Sequence, residues 1–169
     1  MVTAVNHAPT PTVEEAISPG DPADPCEALK AKYGINSDTH KANKEKNKNT
    51  GSGKQSHHIL QGACTNDLID YEQAMTILIQ NSNGGTTHQI TTARQNERRD
   101  NKAGNRTGTR PASNFGDLKK LSRADLVDSL TRGEEMSQED AEALADCLIA
   151  DAEKKIKKEA EDRDEEVDD

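Results

Sequence analysis

The sequence predicts an α+β fold with a small core, a flexible N-terminal linker and an acidic C-terminal tail. Only 31% of the 169 residues are hydrophobic, and the chain has no Trp, one Phe and two Tyr. Little aromatic area is therefore available to build a core. A short apolar, β-branched run lies in the middle of the chain, and amphipathic helical patterns occupy its last third.

The N-terminal segment has the composition of a linker. Residues 1–25 contain five prolines together with Thr, Ala and Asp, which is typical of a flexible spacer. A short helix is expected over residues 26–33. Residues 36–53 are rich in Asn, Lys and Gly, and we expect a loop there. We assign residues 1–45 to a linker with one short helix, which fits a spacer after an upstream domain.

The middle of the chain predicts two strands and a helix. One short strand is expected over residues 55–59 and a second over 74–80, the sequence AMTILIQ, whose apolar and β-branched residues favour extended structure. The turn-forming sequence NSNGG at residues 81–85 ends the second strand. A helix follows over residues 88–102. We assign residues 46–110 to the core.

The last third of the chain is predicted to be helical. One helix is expected over residues 122–131, with Gly133 ending it, and a second over 138–156 with one apolar stripe. These helices form an extension over residues 111–156. Residues 157–169 read as a frayed acidic tail.

Charge is distributed unevenly along the chain, whose net charge is −9. Residues 41–110 carry eleven basic and six acidic groups, whereas residues 121–169 carry seven basic and eighteen acidic groups. A basic centre can contact nucleic acid locally even though the whole chain is acidic. The alternative is that these charges only solvate the surface.

Cysteine usage and targeting signals limit the function classes. Three cysteines, an odd number without a C-x-x-C pair, indicate neither a disulfide framework nor a zinc knuckle. We therefore expect small buried thiols at Cys26, Cys64 and Cys147. The N-terminus lacks a basic start followed by an apolar run, so no secretory signal is predicted. No apolar stretch is long enough for a membrane span.

The stretch TGSGKQSHHILQ at residues 50–61 contains two possible motifs. A phosphate-binding loop requires G-x-x-x-x-G-K-[ST] after a strand. Around Gly53 and Lys54 the pattern fails, because residue 48 is Lys and residue 55 is Gln. The phosphate-loop interpretation is therefore rejected, and the histidine pair is left.

Histidines supply the chemistry that the sequence suggests. His57 and His58 on extended backbone point to opposite faces, which suits one for binding a cation and the other for facing a reacting group. Imidazole titrates near neutrality, so a histidine can accept a proton from water at cellular pH. His88 lies at the start of the predicted helix. His7 and His40 lie in linker-like segments, where we expect exposure to solvent.

Two segments resemble the HNH/endonuclease VII superfamily, and more narrowly the toxin nucleases with an SHH signature found in bacterial polymorphic toxin systems. They are SHHI at 56–59 and AMTILIQNSNGGTTHQITTARQ at 74–95. The resemblance extends over residues 50–105. It implies a ββα-metal fold, in which two antiparallel strands and a helix hold one divalent ion.

The resemblance also implies roles for three histidines. His57 and His88 match metal ligands, and His58 matches the general base that activates water. Family members often have a further His one turn after the helix ligand, where this chain has Thr92. A further Asn normally orients the base, and the candidates here are Asn66, Asn81 and Asn83.

The implied activity is metal-dependent hydrolysis of DNA phosphodiester bonds with little sequence specificity. The implied ion is Mg²⁺, with Mn²⁺ or Zn²⁺ as alternatives, because water and phosphate oxygens complete a thin protein ligand set. Basic side chains are expected to contact the phosphate backbone without reading bases. They are Arg94, Arg98 and Lys54.

An antibacterial toxin implies particular partners. These are DNA, a cognate immunity protein, and a delivery domain or apparatus such as a type VI secretion system. We expect secretion by a signal-less route, delivery to the target-cell cytoplasm, and a cytoplasmic location in the producer. The alternative function is a non-catalytic helical interaction module with incidental histidines, which would bind no divalent metal.

Overall fold

The structure is a computed structural model that describes residues 24–51, 53–65, 67–80, 87–103 and 114–167. For residues 63, 96–103 and 163–167 it describes the backbone alone. The predicted linker before residue 24, with His7, lies outside the described residues. So do the three candidate asparagines, Asn66, Asn81 and Asn83.

Helices dominate the described part of the chain, and a small sheet lies among them. The elements in chain order are α1 (Pro25–Tyr33), β1 (Asn36–Thr39), α2 (His40–Thr50), β2 (Lys54–His58), α3 (Gly62–Thr65), β3 (Met75–Gln80), α4 (Thr87–Ala103), α5 (Phe115–Gly133) and α6 (Gln138–Val167). This mixture of helices and strands confirms the predicted α+β fold.

The strands form one antiparallel sheet in the order β1-β3-β2. In the central pairing, His57 of β2 lies opposite Ile77 of β3, and His58 lies opposite Thr76. The predicted pair of strands followed by a helix is therefore present. The other edge of β3 pairs with β1, a strand that the sequence analysis did not predict.

The apolar core lies on one face of the sheet. There α4 and α6 contact β3, and α5 packs against both helices. Aliphatic side chains from the sheet and the helices meet in one buried cluster, which includes Ile77, Ile79, Leu126, Leu130, Leu144 and Leu148. The predicted apolar stripe of the last helix is buried in this cluster. The two C-terminal helices therefore contribute most of the buried side chains of the core.

The other face of the sheet is covered by α2, where a loop was predicted over residues 36–53. This prediction was wrong because α2 is held by polar groups. The Thr39 hydroxyl caps its start by accepting from the Ala42 amide at 3.3 Å, and Gly51 ends it with a left-handed φ of 57°. Asn43 is fully buried against the sheet, so α2 lacks the apolar stripe by which amphipathic helices are predicted.

The last two helices are longer than predicted. The Asn114 side chain caps α5 by accepting from the Asp117 amide at 2.9 Å, so this helix begins well before residue 122. Helix α6 continues past residue 156, where a frayed tail was expected, and ion pairs one turn apart, such as Lys158 with Asp162, support it. None of the described helices combines the length and apolarity that crossing a bilayer requires.

A disulfide joins the first described helix to the last, which corrects the prediction of three thiols. Cys26 of α1 is bonded to Cys147 of α6, with their Cα atoms 5.8 Å apart and a sequence separation of 121. Cys64 is buried and is not part of a disulfide. Spacing alone does not reveal a pairing across so long a separation.

Candidate active site

The alternation of side chains along β2 places the two adjacent histidines on opposite faces of the sheet, as predicted. His57 lies on the face covered by α4, with 7% of its surface exposed. His58 lies on the face covered by α2 and is half-buried. Each imidazole therefore has its own set of neighbours.

His88 of α4 and His57 form the first cluster. Their ring centroids are 5.2 Å apart and the rings are nearly perpendicular, at 84°. The Gln95 side-chain nitrogen lies 3.3 Å from His57 Nε2, and since an amide N–H donates, Nε2 carries a lone pair. The structure thus brings together the two histidines that were expected to bind metal, with Gln95 as a neighbour that the sequence analysis missed.

Both imidazoles of this cluster are neutral at physiological pH. Burial, with smaller contributions from His88 and His58, lowers the pKa of His57 from 6.5 to about 3. Burial also lowers the pKa of His88. Metals bind the neutral imidazole, so both histidines are in the protonation state that coordination requires. A metal ion at His57 Nε2 would take the place of the Gln95 N–H that now lies against that nitrogen.

The position of His88 is fixed by contacts at the start of α4. The Thr87 hydroxyl donates to the Glu134 carboxylate at 2.7 Å. Gly133 approaches so closely that a β-carbon there would lie 2.2 Å from the Thr87 hydroxyl oxygen. One turn further on, the Thr91 and Ser129 hydroxyls are 2.6 Å apart. The first turn of α4 is therefore locked to α5, which holds His88 toward β2.

The second cluster surrounds His58. Its Nε2 lies 3.3 Å from the carbonyl oxygen of Tyr71, and its ring centroid lies 4.5 Å from that of Tyr71. A carbonyl only accepts, so Nε2 carries the proton and Nδ1 carries the lone pair. Burial lowers the pKa of His58, as does His40, while the hydrogen bond to Tyr71 and the Glu72 carboxylate raise it. The neutral base form therefore predominates at neutral pH.

His40 also belongs to this second cluster, although the sequence analysis expected it to be exposed. Only 8% of its surface is exposed, and its ring stacks on that of His58 with centroids 4.8 Å apart. The expectation was wrong because the segment folds into β1 and α2, which carry His40 onto the sheet. Thr39 directly before α2 and Gly51 directly after it were signals for a capped helix.

The metal-ligand set contributed by the described residues is small. Among them no group of three or more His, Cys, Asp or Glu side chains is arranged to hold an ion. Thr92, one turn after His88, is half-buried. The two neutral imidazoles fit a metal as a partial ligand set, with the remaining positions left for water or phosphate oxygens.

Two of the three basic residues expected to bind DNA, Arg94 and Lys54, have partners within the protein. Arg94 is 49% exposed and its Nε lies 3.1 Å from the Asp128 carboxylate. Lys54 Nζ donates to the Gly34 carbonyl at 3.3 Å, beside a cavity of about 520 Å³ whose described lining residues include no histidine. The side chain of Arg98 lies outside the described residues. Any phosphate contact by Arg94 must therefore compete with an existing ion pair.

Comparison with known families places the chain in one of them. Residues 51–141, more than half of the chain, match the family described as HNH/Endo VII superfamily toxins with a SHH signature. The chain belongs to this family. Ser56, His57 and His58 spell the signature, and His88 also lies within the matched range. No curated protein and no solved structure matches the chain.

Membership of this toxin family confirms the resemblance drawn from the residues and indicates a nuclease. The matched range begins after α2, so α1, β1 and His40 precede it. The His57 cluster consists of residues within the matched range. The His58 cluster combines residues from inside the range with His40 from outside it.

Proposed function

We propose that this toxin-family chain is a metal-dependent endonuclease that hydrolyses DNA phosphodiester bonds with little sequence specificity, and that it acts against bacteria. One observation carries the proposal. The two adjacent neutral histidines of the family signature belong to separate clusters. His57 lies against a second imidazole, that of His88, whereas His58 donates from Nε2 to the Tyr71 carbonyl and keeps a lone pair on Nδ1.

We assign metal binding to His57 and His88. Both are neutral, and their rings lie close together on one face of β2. A bound divalent ion supplies Lewis-acid stabilisation of charge on the phosphate and the leaving oxygen. Phosphate oxygens and water favour Mg²⁺ or Mn²⁺, whereas imidazoles also suit Zn²⁺. We propose Mg²⁺ as the ion, because only two protein nitrogens contribute.

We assign the general base to His58. Its Nε2–H is occupied by the Tyr71 carbonyl, so Nδ1 is the atom that takes the proton from the attacking water. The lowered pKa keeps Nδ1 unprotonated at neutral pH. The Tyr71 carbonyl then stabilises the imidazolium that results, since Nε2–H donates more strongly when the ring is charged.

We assign DNA backbone contacts to Arg94, Arg98 and Lys54. Arg94 is half-exposed on the helix that carries His88, so a phosphate near the metal cluster is within its neighbourhood. A phosphate that binds Arg94 must replace the Asp128 carboxylate, and breaking this ion pair offsets part of the free energy of DNA binding. The contact is therefore expected to be weak and independent of sequence. A delivery apparatus and a cognate immunity protein complete the proposed role, with release into the cytoplasm of the target cell.

The test separates the two histidines of the signature. Plasmid DNA should be cleaved with Mg²⁺ or Mn²⁺, and a chelator should stop cleavage. His58→Ala should lose cleavage by about 10²- to 10⁴-fold but keep its metal affinity in calorimetry. His57→Ala should lose metal affinity as well.

Asn49→Ala on the exposed side of α2 serves as the matched control, and thermal unfolding verifies that each variant folds. Equal loss of metal affinity in His57→Ala and His58→Ala would overturn the division of roles. Absence of both cleavage and divalent binding in the wild type would favour the interaction-module alternative.

A further inference from the structure

The ring of His40 forms one wall of the pocket that holds His58. The two imidazoles are stacked, with centroids 4.8 Å apart and an angle of 25° between their planes. The Tyr71 ring closes the pocket, with its centroid 4.8 Å from that of His40 and 4.5 Å from that of His58. His58 is therefore held on its face by His40 and at Nε2 by the Tyr71 carbonyl.

A chain of hydroxyl groups fixes the orientation of His40. The Thr76 hydroxyl donates to the Asp38 carbonyl at 3.0 Å. Because its proton is used there, Thr76 Oγ1 accepts from the Ser56 hydroxyl at 2.9 Å. Ser56 Oγ can then only accept from His40 Nδ1–H, which lies 2.9 Å away. Each donor has one acceptor, so the tautomer and ring orientation of His40 are determined.

The relay is anchored in the sheet and in α2. Thr76 and Asn43 are both fully buried. The Asn43 side-chain nitrogen donates to Thr76 Oγ1 at 2.9 Å and to the Thr76 carbonyl at 3.2 Å, and its side-chain oxygen accepts from Asn36. A buried polar network that is fully satisfied holds one arrangement, because any displacement leaves a buried group without its partner. His40, as the first residue of α2, is thereby held rigidly.

The burial of His40 argues against direct contact with a substrate. With 8% of its surface exposed and Nδ1 committed to Ser56, the ring presents mainly its face, and that face lies on His58. Burial lowers the pKa of His40, with a further lowering by Lys44 and an opposing effect of Glu72. Two neutral rings stack without the repulsion that two imidazolium ions would suffer.

We propose that His40 is a positioning residue that holds the ring of His58, through a stack fixed by the Ser56–Thr76 hydroxyl relay. This inference rests on the proposed role of His58 as the general base. The stack on His40 fixes the plane of the His58 ring, and the hydrogen bond from Nε2 to the Tyr71 carbonyl fixes the orientation of the ring within that plane. Together they determine the direction of the Nδ1 lone pair. The relay also assigns a role to the serine of the signature, because the Ser56 hydroxyl accepts the hydrogen bond that orients His40.

Two variants separate the ring from the hydrogen bond. His40→Asn retains an N–H donor for Ser56 but removes the stacked ring, whereas His40→Phe retains a ring and removes the donor. On a fixed duplex at saturating Mn²⁺, His40→Asn should lower kcat roughly ten- to hundredfold, with KM and metal affinity within about twofold of wild type. His40→Phe should lose less than His40→Asn, and Asn49→Ala on the same helix should lose nothing.

A spectroscopic readout tests the stack of His40 on His58 without relying on activity. In NMR spectra of the metal-free protein, the ring-proton shifts of His58 should move in His40→Asn, because the neighbouring ring current is lost. They should move less in His40→Phe and stay unchanged in Asn49→Ala. Should His40→Asn fail to fold, Ser56→Ala provides a second test, because it removes the acceptor that orients His40 and the stacked ring then no longer has a fixed position over His58. The ring-proton shifts of His58 should move in this variant as well.

The outcomes distinguish this inference from the assignment on which it rests. If His58→Ala cleaves DNA like wild type, the proposed base is wrong. If His58→Ala is inactive while folded His40→Asn keeps the wild-type kcat, or if the His58 ring shifts are unaffected, the positioning role is wrong. A loss in His40→Asn that falls on KM or on metal affinity, with kcat retained, also overturns it.

Discussion

Acidification should destabilise the metal-free protein through His57. The pKa of this buried imidazole is about 3 in the folded chain against 6.5 as its ordinary value. Between these two values the unfolded chain takes up a proton that the folded chain does not. The corresponding stability is therefore complete above pH 6.5 and is lost as the pH falls toward 3. At pH 5 the loss is about 2 kcal/mol, since each pH unit below 6.5 removes about 1.4 kcal/mol.

Urea unfolding followed by circular dichroism measures this effect, at pH 7 and pH 5 with a chelator present. His57→Gln is the matched comparison, because it removes the titrating group and keeps a polar side chain. The pKa values of His40, His58 and His88 are also lowered, and they destabilise both proteins at pH 5. Wild type should therefore lose about 2 kcal/mol more than His57→Gln. An equal loss in the two proteins would refute the burial of a neutral His57.

Three further predictions concern the metal cluster, the disulfide and the toxic effect. Gln95→Glu places a carboxylate beside His57 and should therefore increase the affinity for a divalent ion about tenfold, or roughly 1.4 kcal/mol. If calorimetry finds no gain in affinity, the ion binds elsewhere. Reduction should lower the free energy of unfolding by up to about 5 kcal/mol, given the 121-residue separation of the bonded cysteines, while a Cys26→Ser/Cys147→Ser double variant should not respond to reductant. Expression in a bacterial cytoplasm should be toxic and degrade genomic DNA, and His58→Ala should be tolerated; intact genomic DNA in dying cells would point to another target.

Hydrophobic patterning predicted the elements that build the apolar core. The run at 74–80 became the central strand, and the apolar stripe at the start of α6 became part of the buried cluster. These elements were visible because their burial depends on aliphatic side chains at the period of a strand or a helix. The opposite orientation of His57 and His58 was visible for the same reason, since it follows from strand geometry alone.

Polar packing accounts for the elements that the sequence analysis missed. Helix α2 has His40 and Asn43 as its buried residues, and neither contributes to an apolar stripe. Its contact with the sheet depends on hydrogen bonds whose partners, Thr76 and Ser56, are distant in sequence. The pattern of residue types within α2 does not reveal these distant partners. The capping residues at the two ends of α2, in contrast, did indicate a helix.

The two faces of the sheet connect the fold to the proposed chemistry. The metal cluster is supported by α4 and its contacts with α5, all within the range that matches the toxin family. The base cluster depends on β1 and α2, which precede that range. Without them β3 would lose its pairing partner along one edge, and His58 would lose the ring on which it stacks. Because a general base acts only when its lone pair is held toward the water, the catalytic unit we propose extends upstream of the matched range to include these two elements.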